Sequence, residues 1–332
     1  MPAIRKAANA VAVGIASRDS NRAQSFADRL GIPKAYGSYE ALLDDADVDA
    51  VYIPLPNALH CEWTIKAAAH GKHVLCEKPF AASAAEVDEM IAACTARGVL
   101  LMEAFMYRFH PQNEKALELV RSGAIGAVKL VRTAFCFTIA DETNIRLDPA
   151  LAGGSLMDAG SYCVSVARTL IGAEPESALA LAQVGAASGV DETMAGLLQF
   201  AAGTRPQVAS AAVQDTGVVL PAGPLAAFEC SFRMPYRAVY EVIGERGRIE
   251  VPSPFITNNN AMSIVLQHPD ERAESFSFPA VDQYTLMVEH FAECVLAQRP
   301  LRYPPAEGRA QMQALDARRA SARTGTVVKI NR

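Results

Sequence analysis

The 332-residue chain contains no apolar stretch as long as the ~18 residues that a bilayer-spanning helix needs, which excludes a helical membrane span. It has no long basic block. A formal net charge of −5 and a pI near 5.8 give no electrostatic reason to expect a nucleic-acid partner. It has no CxxC pair. The seven cysteines, Cys61, Cys76, Cys94, Cys136, Cys163, Cys230 and Cys294, are odd in number and widely spaced. That pattern suits buried thiols in a reducing cytoplasm better than a disulfide framework or a zinc site. There is no fixed-period repeat and no low-complexity tract. What is present, 51% hydrophobic and 20% charged residues, is ordinary globular composition, with length for two domains at ~150 residues each. Arg5 and Lys6 before the run Ala7 to Ala16 imitate a secretory signal. Asn9, Gly14 and the charged Arg18-Asp19 pair that follows fit a buried strand better.

The first hundred residues alternate two hydrophobic periods. Val11 to Ala16 reads as a buried strand, and Ser20 caps a helix over Asn21 to Leu30 that closes at Gly31. Tyr39 to Asp45 is a short helix, Asp49 to Pro54 a strand, Ala58 to Ala69 a helix and His73 to Cys76 a strand. Ser83, with Glu86 three residues on, opens a helix over Ala84 to Arg97, and Val99 to Met102 is the fourth strand. Strands alternating with helices predict βαβ units and a parallel sheet. After a helix over Asn113 to Ser122 the pattern changes. A long helix, Ser155 to Leu170, lies among strands at Val128–Thr138, Met194–Phe200, Leu225–Phe232, Val239–Ile243 and Arg248–Val251, and helices Tyr284–Ala297 and Ala306–Ala322 follow. The expected fold is therefore α/β Rossmann-like over residues 1–120, then an α+β domain with a mostly antiparallel sheet over 121–332. The terminal helices are expected to pack back on the first domain.

Two segments carry chemistry. In Cys76-Glu77-Lys78-Pro79-Phe80 a lysine follows an apolar strand, at the carboxyl edge where open α/β sheets bind ligands. Pro79 ends the strand and makes a cis bond accessible. On these residues alone, a surface lysine at a strand end is the commoner outcome. In Gly153-Gly154-Ser155-Leu156-Met157-Asp158-Ala159-Gly160-Ser161-Tyr162, a helix would put Asp158 and Tyr162 on one face as i and i+4. Gly160 would admit a close neighbour, and Leu156, Cys163, Val166 and Leu170 would pack inward. A carboxylate beside a phenol suits proton transfer once a cation stabilises the phenolate, although a lone helical Tyr is more often a packing residue.

Taken together, the Glu-Lys-Pro run and the Gly-Gly-x-x-x-Asp-x-Gly-x-Tyr segment resemble the Gfo/Idh/MocA oxidoreductases, over nearly the whole chain. Tyr52-Ile-Pro-Leu-Pro56-Asn57-Ala-Leu-His60 and Glu103-Ala-Phe-Met-Tyr-Arg108-Phe-His110 resemble the family's cofactor-side loop and nicotinamide-side segment. The resemblance implies hydride transfer between nicotinamide and a carbinol carbon of a sugar, cyclitol or cyclic diol. It implies that Lys78 polarises the substrate hydroxyl, that Tyr162 donates or accepts the proton, and that Asp158 positions that group or the substrate. Pro56, Asn57, His60, Glu77, Lys78 and, less specifically, Arg108 would line the cofactor. It further implies a homo-oligomer, dimer or tetramer, and no metal.

Cofactor choice is read at Ile15-Ala16-Ser17-Arg18. NAD-selective folds carry an acid at this strand end, whereas an arginine nearby accepts a 2′-phosphate. Ser17 stands where the acid would be and Arg18 can meet the phosphate, so NADP is expected over NAD. Asp19 beside it would weaken such a site if it pointed inward.

The sequence departs from the family pattern twice. Met1 to Ala8 reads as the helix that follows a Gly-x-Gly-x-x-Gly turn, with neither the turn nor its strand before it. In a 3-2-1-4-5-6 sheet that strand is central, so its absence would leave two internal edges unpaired. The expectation is a native chain about twenty residues longer, the size of a strand-turn unit, and poor cofactor affinity for the polypeptide as written. Gly203 to Gly223 is an additional segment between two family strands. The rival to the enzyme is a non-catalytic binding or regulatory protein of the same fold that has lost its dinucleotide.

Overall fold

The computed structural model describes residues 2–201 and 223–330; the additional segment at 203–223 lies almost wholly outside them. The chain divides into two compact units, Met1–His110 with Asp282–Met312, and Pro111–Val281 with Gln313–Arg332. The division thus falls at His110, ten residues before the expected 120, and the segment from Asp282 to Met312 groups with the first unit.

In the first unit, α1 (Pro2–Lys6) precedes β1 (Gly14–Ala16). Then come α2 (Ser20–Leu30), β2 (Lys34–Tyr36), α3 (Tyr39–Leu43) and β3 (Ala50–Ile53). α4 (His60–Ala69), β4 (His73–Glu77), α5 (Ala84–Arg97) and β5 (Leu101–Ala104) complete the alternation. Local chemistry sets the boundaries. Asp19, not Ser20, caps α2: its extended backbone lets the carboxylate accept from the Asn21 and Arg22 amides. Gly31 closes α2 at φ 62°, a left-handed conformation that glycine adopts at the least cost. Ser83 caps α5 through the Glu86 amide, as its sequence foretold.

All strand pairs in this unit are parallel, but they form two separate sheets, β1-β2 and β3-β4-β5. β1 and β3 each lack a second neighbour among the described residues. One expectation is corrected here: Val11 is 80% exposed and only Gly14–Ala16 of the predicted strand forms. α1 is strapped instead to the later helix. The Lys6 ammonium lies 2.8 Å from Asp282, and the Ala8 amide and the Asn9 side chain donate to Glu289.

The second unit opens with α6 (Pro111–Arg121) and β6 (Val128–Thr138), and a π-turn over Leu156–Gly160 runs into α7 (Ser161–Ile171). β7 (Pro175–Val184), β8 (Asp191–Phe200), β9 (Leu225–Ser231), β10 (Arg233–Gly244), β11 (Gly247–Val251), β12 (Met262–Gln267) and β13 (Ala273–Phe278) follow. α8 (Gln283–Ala297), α9 (Pro305–Thr324) and β14 (Val328–Lys329) end the described chain. Nine strands make one sheet in the order β13-β12-β11-β10-β6-β9-β8-β7-β14. Only β6-β9 is parallel, so the expected mostly antiparallel sheet is present. α7 packs on β6 and β9, with Leu156, Cys163, Val166 and Leu170 all buried.

Candidate active site

The predicted residues fall into two sets, one in each unit. In the first unit, Lys78 follows β4 and is half-buried, and its bond to Pro79 is cis. Glu77 is engaged on both oxygens. The Tyr52 hydroxyl donates to Oε1 at 2.5 Å and the Lys78 amide to Oε2 at 3.1 Å. Burial, then the Glu77 charge, pushes the Tyr52 phenol far above the usual tyrosine range, so it stays a donor. Burial and the same carboxylate lift Tyr284 to about 12. Glu77 thereby anchors the backbone that presents Lys78.

Pro56 and Asn57 start the 3-10 turn that leads into α4. His60 is fully buried, with Nδ1 2.9 Å from the Pro79 carbonyl and Nε2 2.8 Å from the Leu55 carbonyl. It ties the Asn57 loop to the Lys78 loop. With both ring nitrogens turned to backbone carbonyls, His60 holds the two loops together. Burial lowers its pKa.

Arg108 is corrected more strongly. It is 4% exposed, its guanidinium 4.9 Å from the ring centres of both Phe105 and Tyr303, with Glu307 at 3.8 Å. Aromatic stacking and burial thus place its guanidinium in the interior of the unit. His110 is buried as well.

At the end of β1, the Ser17 amide donates to the Tyr36 carbonyl and the Ser17 hydroxyl accepts from the Asp19 amide. Arg18 is exposed. The Asp19 carboxylate is committed to the α2 amides, so the acid that could have opposed a phosphate is turned away. These residues fit the 2′-phosphate end of NADP.

In the second unit, Asp158 lies within the π-turn and Tyr162 in the first turn of α7. The uninterrupted helix expected from Ser155 is therefore corrected to a wide turn followed by a regular helix. Such π segments recur at functional sites. Tyr162 is 4% exposed, its ring 5.3 Å from Phe135 and 5.1 Å from Phe255. The Arg146 Nε donates to Asp158 Oδ2 at 2.8 Å. Sequence reading missed Arg146, which lies twelve positions away in a single 3-10 turn, Ile145–Leu147, too short for a periodic signal. It missed Tyr52 as the partner of Glu77 too, although the strand-end position next to β4 was legible. Gly160 behaves as expected: a Cβ there would stand 2.9 Å from Cys230 Sγ.

Comparison with known proteins identifies the family. Residues 1–105 match the oxidoreductase family with an NAD-binding Rossmann fold, and residues 113–217 match the GFO/IDH/MocA C-terminal domain. The chain is 42% identical over 332 residues to a D-xylose 1-dehydrogenase (NADP(+)) of Haloferax volcanii, covering 100% of this chain and 95% of that protein. It is 34% identical over 291 residues to a trans-1,2-dihydrobenzene-1,2-diol dehydrogenase of Xenopus tropicalis, covering 86% and 81%. Among solved structures, an aldose-aldose oxidoreductase from Caulobacter crescentus with glycerol superposes with a TM-score of 0.86 at 31% identity, covering 99% and 94%. A 3-ketoreductase from Actinomadura kijaniata with NADP and TDP-benzene gives 0.85 at 30% identity, covering 96% and 92%. The latter has also been solved with one tyrosine and with one lysine replaced. With both of its domains matched and relatives above 30% identity along most of its length, the chain belongs to the Gfo/Idh/MocA oxidoreductases.

Proposed function

We propose that this protein is an NADP-dependent oxidoreductase acting on a CH–OH group of a sugar or cyclic diol. The observation that carries the reading is the Glu77-Lys78 strand end, anchored by Tyr52 and by the His60 tie, in a chain 42% identical to an NADP-dependent xylose dehydrogenase. The cofactor supplies the hydride-accepting ring. Ser17 and Arg18 would hold its 2′-phosphate, and Pro56 and Asn57 its ribose side. Lys78 orients the substrate hydroxyl and draws electron density from its oxygen. Tyr162 holds the proton at Oη, and the burial of its ring against Phe135 and Phe255 limits water at that proton. Asp158, fixed by Arg146, keeps the tyrosine or the substrate in register. A lysine and a tyrosine are the residue types probed by replacement in the related ketoreductase.

The protein is read further as a cytoplasmic homo-oligomer. All seven cysteines are free and buried, as suits a reducing compartment. No described helix is long and apolar enough to cross a membrane. The sheet face that carries Arg132, Ala134, Ala227 and Glu229 bounds a groove of about 460 Å³. Exposed Leu197, in register with Ala227, extends that face, and Leu181 lies on it as well. Apolar positions among charges of both signs suit a second copy; sedimentation would report the association.

The test is NADP reduction across pentoses, hexoses, inositols and dihydrodiols, with NADPH binding followed by nicotinamide fluorescence. Turnover of one of these classes with NADP preferred over NAD is expected. Neither fluorescence enhancement nor a thermal shift with NADPH would favour the non-catalytic reading. Lys78→Ala should lower kcat by orders of magnitude while the NADPH dissociation constant changes little, and an unchanged kcat would remove the role given to Lys78.

A further inference from the structure

The segment that presents Asp158 and Tyr162 is held from outside by a residue to which nothing above gives a role. We propose that Asp191 is a positioning residue for this site, fixing the start of the π-turn so that Asp158 and Tyr162 keep their relative orientation. The inference rests on the function proposed above.

Leu156 opens the turn, and its amide is one of those that a helical segment leaves without an internal partner. Asp191 Oδ2 accepts from that amide at 2.7 Å and from the Ser155 hydroxyl at 2.8 Å. A carboxylate in this place makes charge-assisted bonds and suits the positive end of the helical segment. The approach is possible only because residue 154 has no side chain: a Cβ on Gly154 would lie 2.2 Å from Asp191 Oδ1. Gly153 is required in turn by the Arg146 carbonyl, which would meet its Cβ at 2.4 Å. The Gly-Gly pair is thus the footprint of two approaches, one by Asp191 and one by the Arg146 backbone.

These two approaches belong to one frame. Arg146 fixes Asp158 through its guanidinium, while Asp191 fixes Leu156. The residues next to them, Leu147 and Val190, share one buried cluster with Ile139 and Phe232. Asp191 itself begins β8, which is paired on both sides by β7 and β9. The π-turn is therefore gripped at its first amide by the start of β8 and at its carboxylate by the 3-10 turn Ile145–Leu147, two segments whose neighbouring residues pack in one cluster. A wide turn has poorer internal hydrogen bonding than an α-helix, so an external grip is what decides its geometry. Burial raises the Asp191 pKa, a cost the fold accepts to keep this acceptor in place.

The experiment compares Asp191→Asn and Asp191→Leu with the parent. Asparagine keeps one oxygen for the Leu156 amide and leucine keeps none. For the leucine variant, kcat is expected to fall about a hundredfold, the scale of a misplaced reacting group, with KM and the NADPH dissociation constant within twofold. Asparagine should recover about tenfold of that loss. Amide exchange at Leu156, read in the cofactor-free protein, should be accelerated in both variants, most in leucine. Where leucine prevents folding, asparagine carries both measurements. Unchanged kcat and unchanged Leu156 exchange in the asparagine variant would overturn the proposal, as would a loss confined to KM. An inactive parent whose variants still show accelerated Leu156 exchange counts against the proposed reaction and for the clamp.

Discussion

Asp191 and Gly154 are fitted to each other: Asp191 Oδ1 occupies the space a Cβ on Gly154 would need, at 2.2 Å, and Gly154 has φ +113°. Two requirements therefore converge on one glycine. Gly154→Ala should destabilise the protein by about 2–4 kcal/mol, the sum of a disfavoured backbone region and a displaced carboxylate. Urea unfolding measures this; a change below about 0.5 kcal/mol, ordinary for a surface site, would mean that the loop rearranges without penalty.

Arg318 is an opposite case, a buried charge that the fold holds at a cost. It is fully buried on α9, with its guanidinium 4.0 Å from the Phe228 ring centre. None of its three nitrogens has a hydrogen-bond partner among the described residues. Burial lowers its pKa to about 9. A cation–π contact offsets only part of the desolvation of an unpaired charge. Arg318→Met, similar in length and without charge, should raise stability by about 1–3 kcal/mol. A loss of stability in calorimetry would show that a partner balances the guanidinium.

Much of the fold could be read in the sequence because the βαβ alternation, the Ser83 cap and the Gly31 and Gly98 stops are local signals. The strands it missed carry weak ones. β7 reads Pro-Glu-Ser-Ala-Leu-Ala-Leu-Ala-Gln-Val, with small residues of low β-propensity; its place beside β8 comes from pairing, not preference. β13 is an edge strand whose two Phe residues are outnumbered by Glu274, Ser275 and Ser277, and β2 has only three residues. The site followed the same rule. Lys78 and Tyr162 stood out by motif, but Arg146 and Asp191 act through tertiary approach, and their only trace was the glycine pair they oblige. Arg108 misled because a guanidinium in a polar-aromatic run looks the same whether it faces a ligand or stacks between Phe105 and Tyr303.

The His60 tie gives a pH dependence. A neutral ring resists protonation when buried, so its native pKa lies below the ordinary histidine value of ~6.5. The unfolded chain therefore binds the proton more readily, and stability is full above about pH 6.5 and falls as pH drops from there towards the native pKa. His60→Gln loses that window together with the single N–H bond that the neutral ring gives to one of the facing carbonyls. At pH 8 the variant should be less stable by about 1–3 kcal/mol, the penalty of an unsatisfied buried group, and the gap should narrow by pH 5. A gap that stays constant across that range would show that His60 does not titrate with unfolding.

The interrupted sheet of the first unit makes the last prediction. β4 is hydrogen-bonded on both sides, by β3 and β5, whereas β1 and β3 each have one neighbour among the described residues. Backbone amides that point away from a pairing strand are satisfied by water and open without breaking a ladder. The exposure of Val11, at 80%, shows that the approach to β1 is already solvated. Outward amides of Gly14–Ala16 and Ala50–Ile53 should therefore exchange with deuterium at least about a hundredfold faster than those of Val74–Cys76, which sit inside a continuous ladder. The α2–β2 segment, packed on β1, should open with them at a lower free energy than the β3-β4-β5 sheet. Equal protection at β1 and β4 would mean that the two open edges are covered, and the weak point of the nucleotide-binding half would then have to be sought elsewhere than in its sheet.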